Sequence, residues 1–197
     1  MAAKSGWTVS ALADAYLAGG ARLIQIRCKQ APSGAFLAMC QEVVTRARPM
    51  GALVVVNDRA DIARLSAADG VHLGQDDLDP AAARQILGEA ALIGRSTHST
   101  DQVRGASILP VDYVAVGPIF GTMTKDTGYR HVGTALVTEA ASILKDTGKP
   151  VVAIGGIMLE TAPSVIAAGA QSVAIISDLL STGNPEARVK EFLQALQ

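Results

Sequence analysis

The sequence predicts an α/β fold, a (β/α)8 TIM-type barrel in which seven strands can be recognised, and we expect one domain over residues 1–197. Short apolar runs rich in Val and Ile recur without strict alternation, which is typical of parallel strands covered on both faces. Stretches with helical spacing lie between them, and glycine-rich turns follow the strands, which together indicate repeated right-handed βαβ units. The predicted strands occupy residues 22–27, 53–57, 70–74, 92–97, 113–119, 151–156 and 172–177.

The intervening helices are marked by apolar stripes and by start and stop residues. Residues 36–47 place an apolar stripe on one face of a helix. Pro80 suits a first helical position, and Gly88 suits a helix end. Two later helices are expected within 161–170 and 185–196.

An open, doubly wound sheet is the alternative fold. Seven consecutive βα units favour the barrel. The G-x-G-x-x-G signature that would support a dinucleotide-binding open sheet does not follow the first strand.

A barrel of this type needs eight strands, and the first element that can be recognised is a helix around residues 8–18. The preceding segment, "MAAKSG", is short and poor in β-branched residues. We therefore expect a gap between strands 22–27 and 172–177, either open or filled by a neighbouring chain. Our hypothesis for its origin is a start codon placed too far downstream.

The composition excludes several classes of function. The net charge is -1, with 17 basic and 18 acidic residues, so neither a nucleic-acid nor a membrane partner is expected. Cys28 and Cys40 match no metal or redox spacing, which favours a reducing, cytoplasmic compartment. No apolar run approaches the roughly 20 residues that span a bilayer, and the amino terminus lacks the apolar stretch of a signal peptide.

The active site of such a barrel lies at the carboxyl ends of the strands, so polar residues there are candidates. Gln25, Arg27 and Lys29 alternate with less polar residues after the first predicted strand. This period of two puts the three polar side chains on one side, which favours a lining of the barrel mouth over a solvated strand end.

Acidic residues follow the next two strands. Asn57 and Asp58 end one strand, and Asp76, Asp77 and Asp79 follow the other. Each cluster has an ordinary interpretation as a helix cap or an acidic first turn. Carboxylates at neighbouring strand ends also suit Mg²⁺, and cations nearby would suit a metal-bridged diphosphate.

The remaining strands end in small, hydroxyl-bearing or glycine residues. In barrels, phosphate sites cluster after the last two strands, where backbone N–H groups are available. The segments "IGGI" and "IIS" are therefore candidate phosphate contacts, while no histidine is assigned to catalysis. The candidate residues at the ends of the last four strands include Ser96, Thr122, Thr124, Lys125, Gly156, Ile176 and Ser177.

Read in order, these segments resemble the thiamin phosphate synthase family. They are "QIRCK", "VNDRAD", "GVHLGQDDL", "GRSTHS", "VGPIFGTMTK", "VAIGGI" and "SVAIIS". Members of that family join a hydroxymethylpyrimidine diphosphate to a thiazole phosphate, release pyrophosphate and use Mg²⁺. The resemblance thus implies two small-molecule substrates, a magnesium cofactor and the (β/α) barrel fold; we also consider a homo-oligomer possible.

The resemblance also implies roles for individual residues. Asp58 and Asp77 match the magnesium ligands, and Arg27, Lys29 and Lys125 match the cations that neutralise the leaving diphosphate. The pyrimidine diphosphate would be held by Gln25, Arg27, Lys29, Asn57, Ser96 and Lys125. The thiazole phosphate would be held by Thr122, Thr124, Gly156, Ile176 and Ser177.

The sequence departs from the family pattern at a few positions, and two other functions compete. Cys28 stands where the family usually has an acidic residue, Arg95 replaces a small apolar one, and the loop containing Arg130 is basic. A thiazole tautomerase-like enzyme is one alternative, but it tends to lose the T-x-T-K pattern kept here. A non-catalytic phosphate-ligand-binding barrel is the other, and its mark would be loss of Asp58, Asp77 or Lys125.

Overall fold

The computed structural model of the chain describes residues 6–121 and 130–197. Within these ranges, seven parallel strands form one sheet in the order β1-β2-β3-β4-β5-β6-β7, which confirms the seven predicted strands. A doubly wound sheet would reverse its strand order at some point, whereas here each strand pairs with the next one along the chain. The fold is therefore TIM-like. The strands are β1 Leu23–Ile26, β2 Leu53–Asn57, β3 Gly70–Leu73, β4 Leu92–Thr97, β5 Tyr113–Val116, β6 Val151–Ile154 and β7 Ser172–Ala174.

Helices connect the strands and cover the sheet. Pro80 opens α4 and Gly88 ends it, as the sequence predicts. Short 3₁₀ segments occupy Arg48–Met50 and Asp178–Leu180. The α-helices of the described residues are α1 Val9–Gly19, α2 Ser33–Ala47, α3 Ala60–Leu65, α4 Pro80–Leu87, α5 Thr100–Ile108, α6 Gly133–Leu144, α7 Ala162–Ala167 and α8 Pro185–Ala195.

The core is built from small and branched aliphatic side chains. Strands β3 and β5 are buried along their whole length, as expected for parallel strands with helices packed against them. The predicted stripe of α2 is buried at Phe36, Cys40 and Val43. Cys28 and Cys40 are both free thiols. None of the helices in the described part of the chain is long and apolar enough to cross a membrane.

The sheet has two edges in the described part of the chain. There, β1 pairs with β2 and β7 pairs with β6, and no pairing joins β7 to β1. Both edge strands are more exposed than the central ones. The expected gap between the first and last recognised strands is present, while its filling by a neighbouring chain stays a prediction.

Three side chains at the amino ends of strands tie neighbouring strands together. Asp69 before β3 accepts a hydrogen bond from the Val54 N–H of β2, at 2.7 Å. Asp112 before β5 accepts one from Ile93 of β4 at 2.7 Å, and Gln171 before β7 accepts one from Val151 of β6 at 2.6 Å. We call Asp69, Asp112 and Gln171 the amino-end acceptors. They stabilise the end of the sheet opposite to the predicted active site.

Gly94 in the middle of β4 allows the ring of Tyr113 to pack closely against the backbone. A Cβ at this position would lie 2.1 Å from Cζ of that ring. We expect Gly94→Ala to lower the free energy of unfolding by about 1–3 kcal/mol, since a packed ring would have to move. Gly105 in α5 has open space where a Cβ would lie. Gly105→Ala is the matched control and should stabilise the protein by roughly 0.5–1 kcal/mol. Urea unfolding of both variants tests this, and equal effects would contradict the close packing at Gly94.

Candidate active site

The carboxyl ends of the parallel strands meet at one edge of the sheet, and most of the predicted site residues lie there. Gln25 in β1 and Arg27 and Lys29 just after it are exposed, whereas Ile26, the last residue of β1, is buried. The predicted alternation of exposure is present in these residues, while a shared lining of the barrel mouth by the three polar side chains stays a prediction.

Asp58, directly after β2, has a backbone conformation that ordinary side chains rarely adopt. Its φ is 65°, in the left-handed region, and its N–H donates to the His72 carbonyl oxygen at 2.8 Å. The N-cap position of α3 is Arg59, and no side chain caps that helix. Asn57 and Asp58 therefore do not act as helix caps, and a non-glycine residue held in this conformation is typical of a functional position.

Two aspartates in the acidic turn after β3 make different contacts. Asp79 is the N-cap of α4 and accepts a hydrogen bond from the Ala81 N–H. Asp77 instead accepts one from the Gly74 N–H at 2.7 Å, which holds its carboxylate near the end of β3. The cap interpretation thus holds for Asp79, and Asp77 is left for another role.

The side chains of Asp58 and Asp77 interact, and each shifts the pKa of the other. Burial raises the pKa of Asp77, and the neighbouring Asp58 carboxylate raises it further. Burial also acts to raise the pKa of Asp58, but the hydrogen bond from Asp77 and the Lys29 ammonium outweigh it, so this pKa lies below its usual value. Lys29 Nζ lies 3.0 Å from a carboxylate oxygen of Asp58. The two carboxyl groups therefore lie close together beside one ammonium group, in a place where a cation is favoured.

This donor set fits a magnesium ion. Two neighbouring carboxylates offer the hard oxygen ligands that Mg²⁺ prefers, while its other positions are usually taken by water and substrate oxygens. No cluster of three or more His, Cys, Asp or Glu side chains suited to a metal occurs in the described ranges 6–121 and 130–197. The two carboxylates suit an ion that is shared with substrate oxygens.

Ser96, at the end of β4, is held by His72 and Gln75, neither of which was predicted to be a site residue. Its Oγ lies 2.8 Å from His72 Nε2, and His72 Nδ1 lies 2.9 Å from the Tyr113 hydroxyl. Gln75 Nε2 donates to the Ser96 carbonyl oxygen at 2.5 Å. Both the backbone and the side chain of Ser96 are thereby fixed. The only signal in the sequence was a histidine inside an otherwise apolar strand.

Arg95, which departs from the family pattern, lies next to Ser96 in β4 and therefore points to the opposite face of the sheet. Its Nη2 donates to the Gln75 carbonyl oxygen at 3.3 Å. Arg95 thus braces the turn that carries Asp77 from outside the site.

Gly156 packs against the segment that leads to the predicted threonines and lysine. Its φ is +65°, and a Cβ there would lie 2.6 Å from the Gly121 carbonyl oxygen. This glycine therefore has a packing role in addition to any phosphate contact. Thr122, Thr124 and Lys125 lie outside the described residues.

The turn after β7 is anchored by a buried ion pair. Ile176 and Ser177 are exposed, and Asp178 directly after them is buried. Arg188 of α8 lies 2.8 Å from the Asp178 carboxylate, which also accepts from the Leu159 N–H at 3.2 Å. The ion pair fixes the two exposed residues at the site edge, beside the turn after β6.

The fold and the site together define a class: a TIM-like α/β barrel whose polar cluster lies at the carboxyl ends of its strands. A sequence model of the family described as "Thiamine monophosphate synthase" matches residues 3–179. The chain belongs to this family.

Individual relatives agree with that assignment. The chain is 43% identical to a thiamine-phosphate synthase of Koribacter versatilis, over 96% of this chain and 87% of that protein. It is 43% identical to one of Anaeromyxobacter dehalogenans, over 95% and 82% of the two chains. A solved thiamine phosphate pyrophosphorylase from Pyrococcus furiosus superposes with a TM-score of 0.85 at 29% identity, covering 95% of this chain and 88% of that chain.

Proposed function

We propose that the protein is a Mg²⁺-dependent thiamin phosphate synthase, a transferase that joins 4-amino-2-methyl-5-hydroxymethylpyrimidine diphosphate to thiazole phosphate and releases pyrophosphate. The observation that carries the proposal is the Asp58–Asp77 pair with Lys29 Nζ 3.0 Å from Asp58, in a chain that belongs to the family. Paired carboxylates with an adjacent cation suit a substrate that arrives as a metal-bound diphosphate.

The reaction breaks the bond between the pyrimidine CH₂ carbon and a diphosphate oxygen, which departs with the electron pair. The electron-rich aminopyrimidine stabilises the carbocation, and the lone pair of the thiazole nitrogen then forms the new C–N bond. No nucleophilic side chain is required. The protein has to stabilise the leaving diphosphate and to place the second substrate.

The residues of the chain divide these tasks. Asp58 and Asp77 would hold Mg²⁺, which when bound neutralises charge on the diphosphate. Lys29, Arg27 and Lys125 would add positive charge around the leaving group. Asn57, Gln25 and Ser96 would orient the pyrimidine diphosphate. The exposed Ile176 and Ser177, with Gly156, Thr122 and Thr124, would hold the thiazole phosphate and bring its nitrogen toward the CH₂ carbon.

Incubation of the purified chain with both substrates and Mg²⁺ tests the proposal directly. We expect thiamin phosphate and pyrophosphate in equal amounts, and loss of both products when EDTA removes the metal. Formation of neither product by folded protein would contradict the synthase function. It would favour the tautomerase-like or the non-catalytic alternative. The retained T-x-T-K pattern argues against the first, and the retained carboxylate pair argues against the second.

Lys125 and Thr122 are predicted to affect different substrates. We expect Lys125→Ala to impair handling of the pyrimidine diphosphate, because an ammonium is a strong partner for a diphosphate. Thr122→Ala should mainly raise the KM for thiazole phosphate, by the loss of one hydrogen bond of about 0.5–1.5 kcal/mol. Steady-state kinetics with each substrate varied in turn measure this, with Lys145→Ala as an exposed-lysine control. Equal effects of both variants on both KM values would contradict the division.

A cytoplasmic location and assembly as a homo-oligomer stay predictions.

A further inference from the structure

Three polar residues on neighbouring strands form a hydrogen-bonded chain inside the sheet. His72 of β3 lies in register with Gly94 of β4, which in turn lies in register with Tyr113 of β5. Ser96 lies two residues beyond Gly94, on the same face and nearer the carboxyl ends. His72 and Tyr113 are each 7% exposed, so these two side chains are shielded from bulk water.

The ring of Tyr113 reaches His72 across the backbone of β4. A Cβ at Gly94 would lie within 2.4 Å of the Tyr113 hydroxyl oxygen, so this route requires glycine. The two rings stack with their centroids 5.5 Å apart and an interplanar angle of 28°. Tyr113 thus contacts His72 both through its ring and through its hydroxyl group.

The direction of the hydrogen bonds follows from the phenol. Burial raises the pKa of the Tyr113 hydroxyl above its ordinary value, so the group keeps its proton. In the described part of the chain, the hydrogen-bond partner of that hydroxyl is His72 Nδ1, at 2.9 Å. A buried O–H is costly when its donor is unsatisfied, so the phenol donates and Nδ1 accepts. A histidine that accepts at Nδ1 carries its proton on Nε2, which then donates to Ser96 Oγ.

We propose that Tyr113 and His72 are positioning residues that make Ser96 a hydrogen-bond donor toward the substrate. With its oxygen occupied by His72 Nε2–H, the Ser96 hydroxyl turns its own proton into the site. A donor at this point suits an acceptor on the pyrimidine diphosphate, either a phosphate oxygen or a ring nitrogen. The role in turnover rests on the proposed function, whereas the tautomer of His72 does not.

The tautomer is measured without any substrate. NMR of protein with isotopically labelled histidine distinguishes Nδ1–H from Nε2–H, and the spectrum of His72→Gln identifies the His72 signals. We expect the Nε2–H tautomer in the unaltered protein and its loss in Tyr113→Phe. Tyr16→Phe, at a half-buried tyrosine on α1, is the matched control and should leave the tautomer unchanged. An Nδ1–H tautomer in the unaltered protein overturns the proposal and needs no variant to be folded.

A double-mutant cycle tests whether Tyr113 acts through Ser96. We expect Tyr113→Phe to weaken pyrimidine diphosphate binding, measured by calorimetry with Mg²⁺, by about tenfold, as for loss of one positioned hydrogen bond. In a Ser96→Ala background the same change should have an effect of about twofold or less. The KM for thiazole phosphate should not change. Equal effects in both backgrounds would show a purely structural role and overturn the proposal.

The proposed function and the positioning role of Tyr113 and His72 can be disproved separately. If the unaltered protein forms no thiamin phosphate, the proposed function is wrong, and the NMR measurement still decides the direction of the hydrogen bonds. If it forms thiamin phosphate but the cycle is additive, the function stands and the positioning role is wrong.

Discussion

Asp77→Asn is expected to reduce metal-dependent turnover by more than 100-fold while leaving the protein folded. Asn can still accept the hydrogen bond from the Gly74 N–H that positions Asp77, so the turn after β3 keeps its shape. The variant lacks the negative charge that would hold Mg²⁺. Loss of one ligand to a metal that stabilises a leaving group amounts to on the order of 3 kcal/mol.

Turnover as a function of Mg²⁺ concentration is the measurement for this variant. The Mg²⁺ concentration needed for half-maximal rate should rise together with the fall in kcat. Asp76→Asn is the matched control, because Asp76 is the adjacent carboxylate and is exposed. Near-normal turnover by Asp77→Asn at the same Mg²⁺ concentration would show that Asp77 is not a metal ligand.

Lys29→Met is expected to lower kcat by about 100-fold through a different route. The ammonium lies 3.0 Å from the Asp58 carboxylate and is half exposed, so it faces the position proposed for the diphosphate. Removing one charged group that stabilises a transition state costs about 10²–10³-fold in rate. Lys29 also competes with any metal for Asp58, and its loss leaves that carboxylate more available.

The two variants are therefore expected to differ in their metal dependence. Lys29→Met should need no more Mg²⁺ than the unaltered protein for half-maximal rate, whereas Asp77→Asn should need more. Lys145→Met, at an exposed lysine directly after the carboxyl end of α6, serves as the control for loss of a surface cation. A raised Mg²⁺ requirement in Lys29→Met would contradict the assignment of Lys29 to the diphosphate.

Much of the fold follows from local patterns. The strands were recognisable because residues buried on both faces are apolar, and α4 because proline and glycine stand at its ends. Strand β5 ends at Val116, earlier than expected, and the Gly117–Pro118 bond follows it. Pro118 has no N–H to continue the ladder, so the apolar stretch 117–119 belongs to the turn.

The site was only partly predictable, because several of its contacts join residues that are far apart in the sequence. Asp79 precedes Pro80, the predicted first helical residue, so its role as the cap of α4 was predictable, whereas the contact of Asp77 with the Gly74 N–H was not. The contacts of His72 with Ser96 and Tyr113 span 24 and 41 residues. Such contacts depend on the register between strands, which no local pattern in a single sequence specifies. The assignments of Asp58 and Asp77 to Mg²⁺, and of the other residues to the two substrates, stay predictions.

The amino-end acceptors have a consequence for how such a chain can be rearranged in evolution. Each acceptor and its N–H donor belong to one βαβ segment: β2 with β3, β4 with β5, and β6 with β7. If the chain is divided between these segments, the donor and the acceptor of each of the three hydrogen bonds stay in the same segment. A gene fragment that encodes one segment therefore carries both the acceptor and its N–H donor, so duplication or exchange of such fragments keeps each of these hydrogen bonds intact.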